Sequence, residues 1–286
     1  MVINGQEIAL RIFEQLKPRV TKLQNQRNIT PHLAVIRIGD DPATTSYIYQ
    51  KEKAAESIGV KVTVFPHTET VTQQELLSKL QELDSSEEFH GIILQLPIPQ
   101  QMDQDKLLLT IDPRKDVDGF HPQTHFFVPV AQAVLEILRE IHFRKDPAEE
   151  VPFLTWLGTR SIAIMGKGKT GGEPINILLQ KMGMHTILLD SQTQNPDTIT
   201  KDADIVISAV GKRHIITKDT IKPEVILIGV GMQKGDDNKF YGDYDEEEIQ
   251  NIASFYTPVP GGVGPVNVAK LMENVIRAAE HTLQIH

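Results

Sequence analysis

Residues Met165–Pro174 read MGKGKTGGEP, and two phosphate-binding signatures compete for them. Gly168-Lys169-Thr170 has the ending of the triphosphate loop G-x-x-x-x-G-K-[ST], whose successive backbone N–H groups wrap phosphates. Counting back to the first glycine of that pattern lands on Ala163, inside the apolar run RSIAIMG (160–166). A strand cannot bend there, so that match fails. Gly166, Gly168 and Gly171 instead spell G-x-G-x-x-G. An apolar strand precedes Gly166, the helical pattern EPINILLQKMG (173–183) follows, and the next strand, HTILLD (185–190), ends on Asp190. In a dinucleotide-binding turn, glycines let the pyrophosphate approach a helix N-terminus while an acidic strand-end residue meets the ribose. The bland alternative is a strand-to-helix turn that merely needs small residues, and the glycine pattern alone is weak. Strand, helix and Asp190 together favour the dinucleotide.

Outward from this turn, apolar runs alternate with helical patterns along almost the whole chain. PHLAVIRIG (31–39), VKVTVFPH (60–67) and GIILQLP (91–97) read as strands, separated by the helices ATTSYIYQKEKAAESIG (43–59) and TQQELLSKLQELDS (72–85). A second series runs through RSIAIMG, HTILLD, DIVISAV (204–210) and EVILIGVG (224–231). Continuous apolar strands separated by helices predict parallel sheets covered on both faces. The expected fold class is therefore α/β, with two parallel-sheet domains and a cleft between them. Residues 1–140 with 266–286 form the first and 141–265 the second, of Rossmann type. The final helix is expected from about Val266 to Leu283, packed back on the first domain.

The chain of 286 residues is 40% hydrophobic and carries a net charge of −9, which gives no electrostatic case for nucleic acid or an anionic membrane. It contains no cysteine, which excludes a disulfide scaffold, a thiolate zinc site and a cysteine nucleophile; no metal site is expected. No signal-peptide pattern follows Met1, and no apolar run approaches the roughly 20 residues of a membrane helix. A soluble, cytoplasmic protein is expected.

In the helix after GDDPATT, Tyr47, Lys51, Ala54 and Ile58 fall on one stripe, the one expected to face the interior. A desolvated lysine has a depressed pKa and becomes a usable acid or base near neutral pH. From this helix alone, the commoner outcome is a lysine that extends its ammonium to solvent. LQLPIP (94–99) puts Gln95 at the C-terminal end of a strand, where ligands of open α/β sheets bind, although it also suits an ordinary strand end. RKDVDGFHP (114–122) offers Asp116 and Asp118 on the same side if extended, or as turn formers before Gly119. TPVPGGVGPVN (257–267) has too many glycines and prolines for a regular element, and is either a linker or a rigid functional segment.

Taken together, these stretches resemble the bifunctional methylenetetrahydrofolate dehydrogenase/cyclohydrolase family over nearly the whole chain and in order. GDDPATTSYIYQKEKAAESIGV is similar to its S-x-x-Y-x-x-x-K segment, with Thr44 in the serine position, Tyr47 the tyrosine and Lys51 the lysine. LQLP matches the glutamine motif at Gln95, KDVDGFHP the aspartate motif at Asp118, and TPVPGGVGP the most specific signature. The resemblance implies oxidation of 5,10-methylenetetrahydrofolate by a nicotinamide cofactor and hydrolysis of the methenyl product to 10-formyltetrahydrofolate. It makes the first domain the catalytic, folate-binding one. Catalysis would fall to Lys51, Tyr47, Gln95 and Asp118: Lys51 as acid/base or electrostatic partner, Gln95 bonded to it, Tyr47 stacked on the folate and Asp118 on the pterin. Leu94, Leu96 and the Pro260, Gly261, Gly262, Val263, Gly264, Pro265 loop would complete the substrate site. Gly166, Lys167, Gly168, Gly171, Asp190, Ser191 and Gly231 would hold the cofactor, and a homodimer is implied.

Departures from the pattern are specific. The family's N-x-G-x-L-x-x-G and P-C-T-P-x-G segments are missing before the long helix, where only QTHFFVPVAQAVLEIL (123–138) stands. Lys167 and Gly168 replace the arginine and serine of G-R-S-x-x-V-G-x-P, Asn267 replaces a threonine, and residues 143–159 have no assigned role. Asp190 stands at a histidine position and points to NAD over NADP, since a carboxylate accepts from a ribose hydroxyl and repels a 2′-phosphate. The alternatives are a two-domain NAD(P)-dependent dehydrogenase of another small substrate, and a non-catalytic dinucleotide-binding descendant.

Overall fold

A computed structural model describes residues 1–235, 237 and 239–281. The chain divides into two compact units, one of Leu10–Pro129 with the segment from Val268 onward, the other of Met1–Ala9 with Val130–Asn267. The first follows the alternation legible in the sequence: α1 (Gly5–Arg27), β1 (His32–Ile38), α2 (Pro42–Ile58), β2 (Lys61–His67), α3 (Gln73–Ser85), β3 (Gly91–Leu94) and α4 (Gln104–Leu108). The strands form a parallel sheet in the order β2-β1-β3, with Ala34 opposite both Thr63 and Ile92. α3 starts where a capping box forms, Glu75 N–H donating to Thr72 Oγ1 and Thr72 N–H to Glu75 Oε2. Its buried Leu76, Leu80 and Leu83 pack on Ile36, Ile92 and Leu94 of the sheet. Each such side chain contributes about 1.5–3 kcal/mol by leaving water.

α2 begins at Asp41, whose side chain accepts from Thr44 N–H at 2.8 Å, with Pro42 pre-set for the first turn. It ends at Gly59, whose φ of +81° suits a left-handed cap. Among its described side chains, those this helix buries are Thr44, Ile48, Ala55 and Ile58. The interior stripe is therefore displaced from the expected Tyr47-Lys51-Ala54-Ile58 line: Lys51 and Ala54 are half-buried at its border and Tyr47 is 36% exposed. A lysine at the border keeps its stem against apolar neighbours while its amine reaches a polar partner, a lower-energy arrangement than a lysine in the core.

The second unit continues with α5 (Pro129–Lys145), α6 (Phe153–Gly158), β4 (Ile162–Met165), α7 (Gly172–Lys181), β5 (Thr186–Leu189), α8 (Pro196–Asp202), β6 (Ile205–Ser208) and β7 (Ile226–Gly229). Then follow β8 (Met232–Lys234), β9 (Phe240–Gly242), α9 (Glu246–Ile249) and β10 (Phe255–Tyr256). A five-stranded parallel sheet runs β10-β7-β6-β4-β5, and β8 and β9 form a separate antiparallel ribbon. Residues 143–159 are the end of α5, a turn and α6, folded around His142. Its Nε2 meets the Val151 carbonyl at 2.8 Å, and its ring lies 5.2 Å from Trp156 and 5.7 Å from Phe153.

The last helix, α10, spans Val263–His281, so half of TPVPGGVGPVN is regular structure after all. Pro265 is tolerated because the first N–H groups of a helix need no intrahelical partner. Within the first unit, Asn274 of this helix donates to the carbonyls of Val117 and Phe127 at 2.9 and 3.1 Å. The expected helix end at Leu283 lies outside the described residues. Among them, no helix is long and apolar enough to cross a membrane.

Candidate active site and dinucleotide turn

The strand β3 ends at Leu94, whose side chain is part of the core, and the next residue, Gln95, donates its N–H to Ile36 at 2.9 Å. Gln95 is thereby fixed beyond the C-terminal edge of the sheet. Its Oε1 accepts a hydrogen bond from Lys51 Nζ at 2.7 Å, and its Nε2 donates to the Leu96 carbonyl at 2.9 Å. The Leu96–Pro97 peptide is cis. Lys51 is half-buried as a residue, with its ammonium the enclosed part. Burial holds that group below the ordinary lysine range, and the charge of Asp118 pulls it part of the way back. Burial likewise pushes the Asp118 carboxyl up, against the pull of Lys51. Tyr47, one helical turn before Lys51, has a phenol raised by partial burial. The structure thus brings Lys51, Gln95 and Asp118 into mutual influence.

Asp116 and Asp118 are not side by side on an extended segment. They sit in a turn, and Asp116 shapes it: the carboxylate accepts from Gly119 N–H at 3.1 Å and His121 N–H at 2.6 Å. Asp116 is only 2% exposed, and burial raises its carboxyl to about 6 against the pull of those backbone donors. Gly119, at φ +78°, has the Val128 N–H and the Phe126 carbonyl pressed where a Cβ would stand. Asp118 is left as the residue of this pair that can address a ligand.

In the other unit, Gly166 follows β4 with φ +96°, its N–H bonded to the Leu189 carbonyl at 2.8 Å. The helix α7 starts after Gly171, with no side chain capping its N-terminus. Gly168 is exposed with open space where a side chain would be, and Lys167 is exposed beside it. Gly171 packs against the Ala209 side chain, while a Cβ on Gly172 would collide with the Gly166 carbonyl. A helix N-terminus with no side-chain cap, reached by a glycine-rich turn, is a cradle for a phosphate group, so the residues present fit a dinucleotide. Asp190, at the end of β5, turns its Oδ1 onto Gln192 N–H at 2.9 Å and the Thr193 hydroxyl at 3.2 Å. The Gln192 N–H chiefly, with the Thr193 hydroxyl and the Lys167 charge, keeps its carboxyl below the ordinary range. Ser191 is exposed; Gly231 is buried, its N–H on the Ser208 carbonyl at 2.9 Å.

Also in this unit, Pro260 follows a cis peptide and Gly261 has φ +105°. The Gly261 carbonyl accepts from Gly5 N–H at 2.9 Å, and a Cβ on Gly262 would meet the Pro258 carbonyl oxygen at 2.6 Å. Thr257 is fully buried, accepts from Gly229 N–H at 2.8 Å and takes the Tyr244 hydroxyl on its carbonyl at 2.6 Å. Pro260 and Gly264 are exposed whereas Gly262 and Val263 are buried, so the segment is held rigid and is not a linker.

Comparison with known proteins accounts for both halves. Residues 3–118 match the catalytic domain of tetrahydrofolate dehydrogenase/cyclohydrolase, and residues 155–283 match its NAD(P)-binding domain. The chain belongs to the tetrahydrofolate dehydrogenase/cyclohydrolase family. It is 36% identical to the bifunctional protein FolD of Lactococcus lactis, over 99% of this chain and 98% of the relative. The crystal structure of the bifunctional FolD of Campylobacter jejuni superposes with a TM-score of 0.90 at 32% identity, covering 99% of each chain. The Trypanosoma brucei enzyme, solved with NADP and an inhibitor, gives 0.89 at 27% identity, covering 99% of this chain and 98% of that one.

As a member of the tetrahydrofolate dehydrogenase/cyclohydrolase family, the chain carries Lys51, Gln95 and Asp118 in its catalytic domain and the glycine turn in its NAD(P)-binding domain. Three residues around that turn carry no motif in the sequence. Gly172 closes the turn, and the doubled glycine GG (171–172) was the available sign. Ser208 and Asp243 form a buried pair linking two strand ends, and nothing local in the sequence marks them.

Proposed function

We propose that this chain oxidises 5,10-methylenetetrahydrofolate to 5,10-methenyltetrahydrofolate with a nicotinamide cofactor and hydrolyses that product to 10-formyltetrahydrofolate. The observation that carries this reading is the 2.7 Å hydrogen bond from Lys51 Nζ to Gln95 Oε1 beside Asp118, in a chain with the family's two domains. The nicotinamide, when bound, supplies a hydride acceptor. Gly166 to Gly172 would hold its pyrophosphate, with Asp190 at the ribose. In hydrolysis, water adds to the carbon bridging the two folate nitrogens, the resulting hydroxyl releases its remaining proton to solvent as its oxygen becomes the formyl C=O, and the bond to one nitrogen breaks to leave the formyl group on the other. Lys51, held below the ordinary lysine range by burial and oriented by Gln95, takes the water proton and returns it to the departing nitrogen. Asp118 accepts from the pterin amino group and ring N–H, a bidentate pattern suited to a carboxylate. Tyr47 stacks on the folate, Leu96 lies beside Gln95, and Pro260–Pro265 border the substrate.

Mixing the protein with methylenetetrahydrofolate and either NAD or NADP should produce reduced cofactor and then a decay of methenyl absorbance. No reduction with either cofactor would favour a dehydrogenase of another substrate or a non-catalytic descendant. Between the cofactors, Asp190 supports NAD: its carboxylate is fixed at the strand end and like charge repels a 2′-phosphate, although Lys167 offsets part of that charge. The kcat/KM ratio for NAD over NADP should fall in Asp190→Ser. A parent that prefers NADP would contradict this choice. Family membership also leads us to expect a homodimer, which light scattering would test.

A further inference from the structure

A carboxylate with no place in that chemistry lies behind the dinucleotide turn. Asp243, between β9 and α9, is completely buried. Its Oδ2 accepts the Ser208 hydroxyl at 2.5 Å and the Val210 N–H at 3.0 Å, and its Oδ1 accepts the Lys212 N–H at 2.8 Å. No lysine, arginine or histidine side chain forms an ion pair with it among the described residues. A buried charge is tolerated when hydrogen bonds replace its water, and here every donor comes from one segment, Ser208–Lys212.

That segment underlies the glycine turn. Ala209, held on both sides by residues bonded to Asp243 Oδ2, donates its N–H to the Met165 carbonyl at 2.8 Å. The Ala209 carbonyl oxygen lies 2.5 Å from where a Gly166 Cβ would stand, and its side chain lies 3.1 Å from the corresponding point on Gly171. The Ser208 carbonyl in turn accepts the N–H groups of Val230 and Gly231 at 2.7 and 2.9 Å. A Cβ on Gly231 would run into Asp243 Oδ2 and the Gly211 nitrogen. One carboxylate therefore sets the ends of β6 and β7 together, and through Ala209 the floor of the turn that follows β4.

We propose that Asp243 is a positioning residue for the nicotinamide cofactor: its carboxylate fixes Ser208–Lys212 so that Ala209 supports Gly166 and Gly171 in their phosphate-receiving conformation. The inference rests on the reading of Gly166–Gly172 as the dinucleotide turn. Asp243→Asn keeps the shape but turns one acceptor into an amide donor facing Ser208 and Val210. Steady-state oxidation of methylenetetrahydrofolate should then show the cofactor KM raised about five- to tenfold, the effect of a lost hydrogen bond. Hydrolysis of methenyltetrahydrofolate, which needs no cofactor, should stay within about twofold of the parent. A folded variant with unchanged cofactor KM, or with both activities reduced alike, overturns the proposal. Should Asp243→Asn not fold, Ser208→Ala, which removes one donor and leaves the carboxylate, decides by the same two readouts. A parent that reduces neither cofactor removes the underlying reading, and this inference with it.

Discussion

Gly172 stands so close to the carbonyl of Gly166 that an added Cβ would occupy the place of that oxygen. The first turn of α7 is thereby pressed onto the end of β4. This contact, rather than flexibility, is the reason a glycine is required there, because Gly172 lies inside the helix.

Gly172→Ala should therefore force strand end and helix apart. Overpacking of this kind costs about 1–3 kcal/mol or more. Cofactor-dependent oxidation should be lost before cofactor-free hydrolysis, since Lys51 and Gln95 belong to the other unit. Gly168→Ala, at a position with open space, is the control and should fold normally. Equal tolerance of both substitutions in a thermal melt would contradict the packing argument.

Asp118 is the carboxylate of its turn that faces Lys51 electrostatically, whereas Asp116 is consumed by backbone donors. Asp118→Asn should weaken folate binding by about 1.5–3 kcal/mol, the usual worth of a hydrogen bond to a charged group. Cofactor affinity should be unaffected. Titration calorimetry with folate and with cofactor separately distinguishes this from a structural role, which would weaken both.

Asp116 predicts a pH dependence of stability. Its carboxyl is raised by burial to about 6, so the folded state holds a proton that the unfolded chain releases at the ordinary carboxyl range. The stabilisation from that proton is complete below about pH 4 and is lost as pH rises through about 6. The size of the effect is about 3 kcal/mol, at about 1.4 kcal/mol per pH unit. Denaturant unfolding of the parent and of Asp116→Asn at pH 4 and pH 7 should show the parent's relative stability falling by that order. A constant difference would mean Asp116 titrates normally.

Most of the architecture was legible because parallel strands buried on both faces leave unbroken apolar runs, as in HLAVIRI and GIIL. The short β8–β9 ribbon and α6 were not legible, being too brief to show a period. The helical stripe of α2 was misplaced by one position because Lys51 sits where stripe and surface meet. Lys51, Gln95 and Asp118 could be named individually, but only the folded chain shows a helix residue and a strand-end residue 44 positions apart joined by a hydrogen bond. Ser208 and Asp243, 35 positions apart, had no counterpart in any motif; a buried serine–aspartate pair is visible only once the chain is folded.

The central claim is that Lys51, with its pKa depressed by burial, moves the proton in methenyl hydrolysis. Its most direct test is the pH–rate profile of methenyltetrahydrofolate hydrolysis for the parent and for Lys51→Met, a substitution that keeps length and helix propensity. The parent rate should rise with pH and level off below the ordinary lysine range. The variant should fold, retain folate binding in part and lose that limb, with hydrolysis reduced by about 100-fold or more. A Lys51→Met protein that hydrolyses methenyltetrahydrofolate at the parent rate would contradict the account.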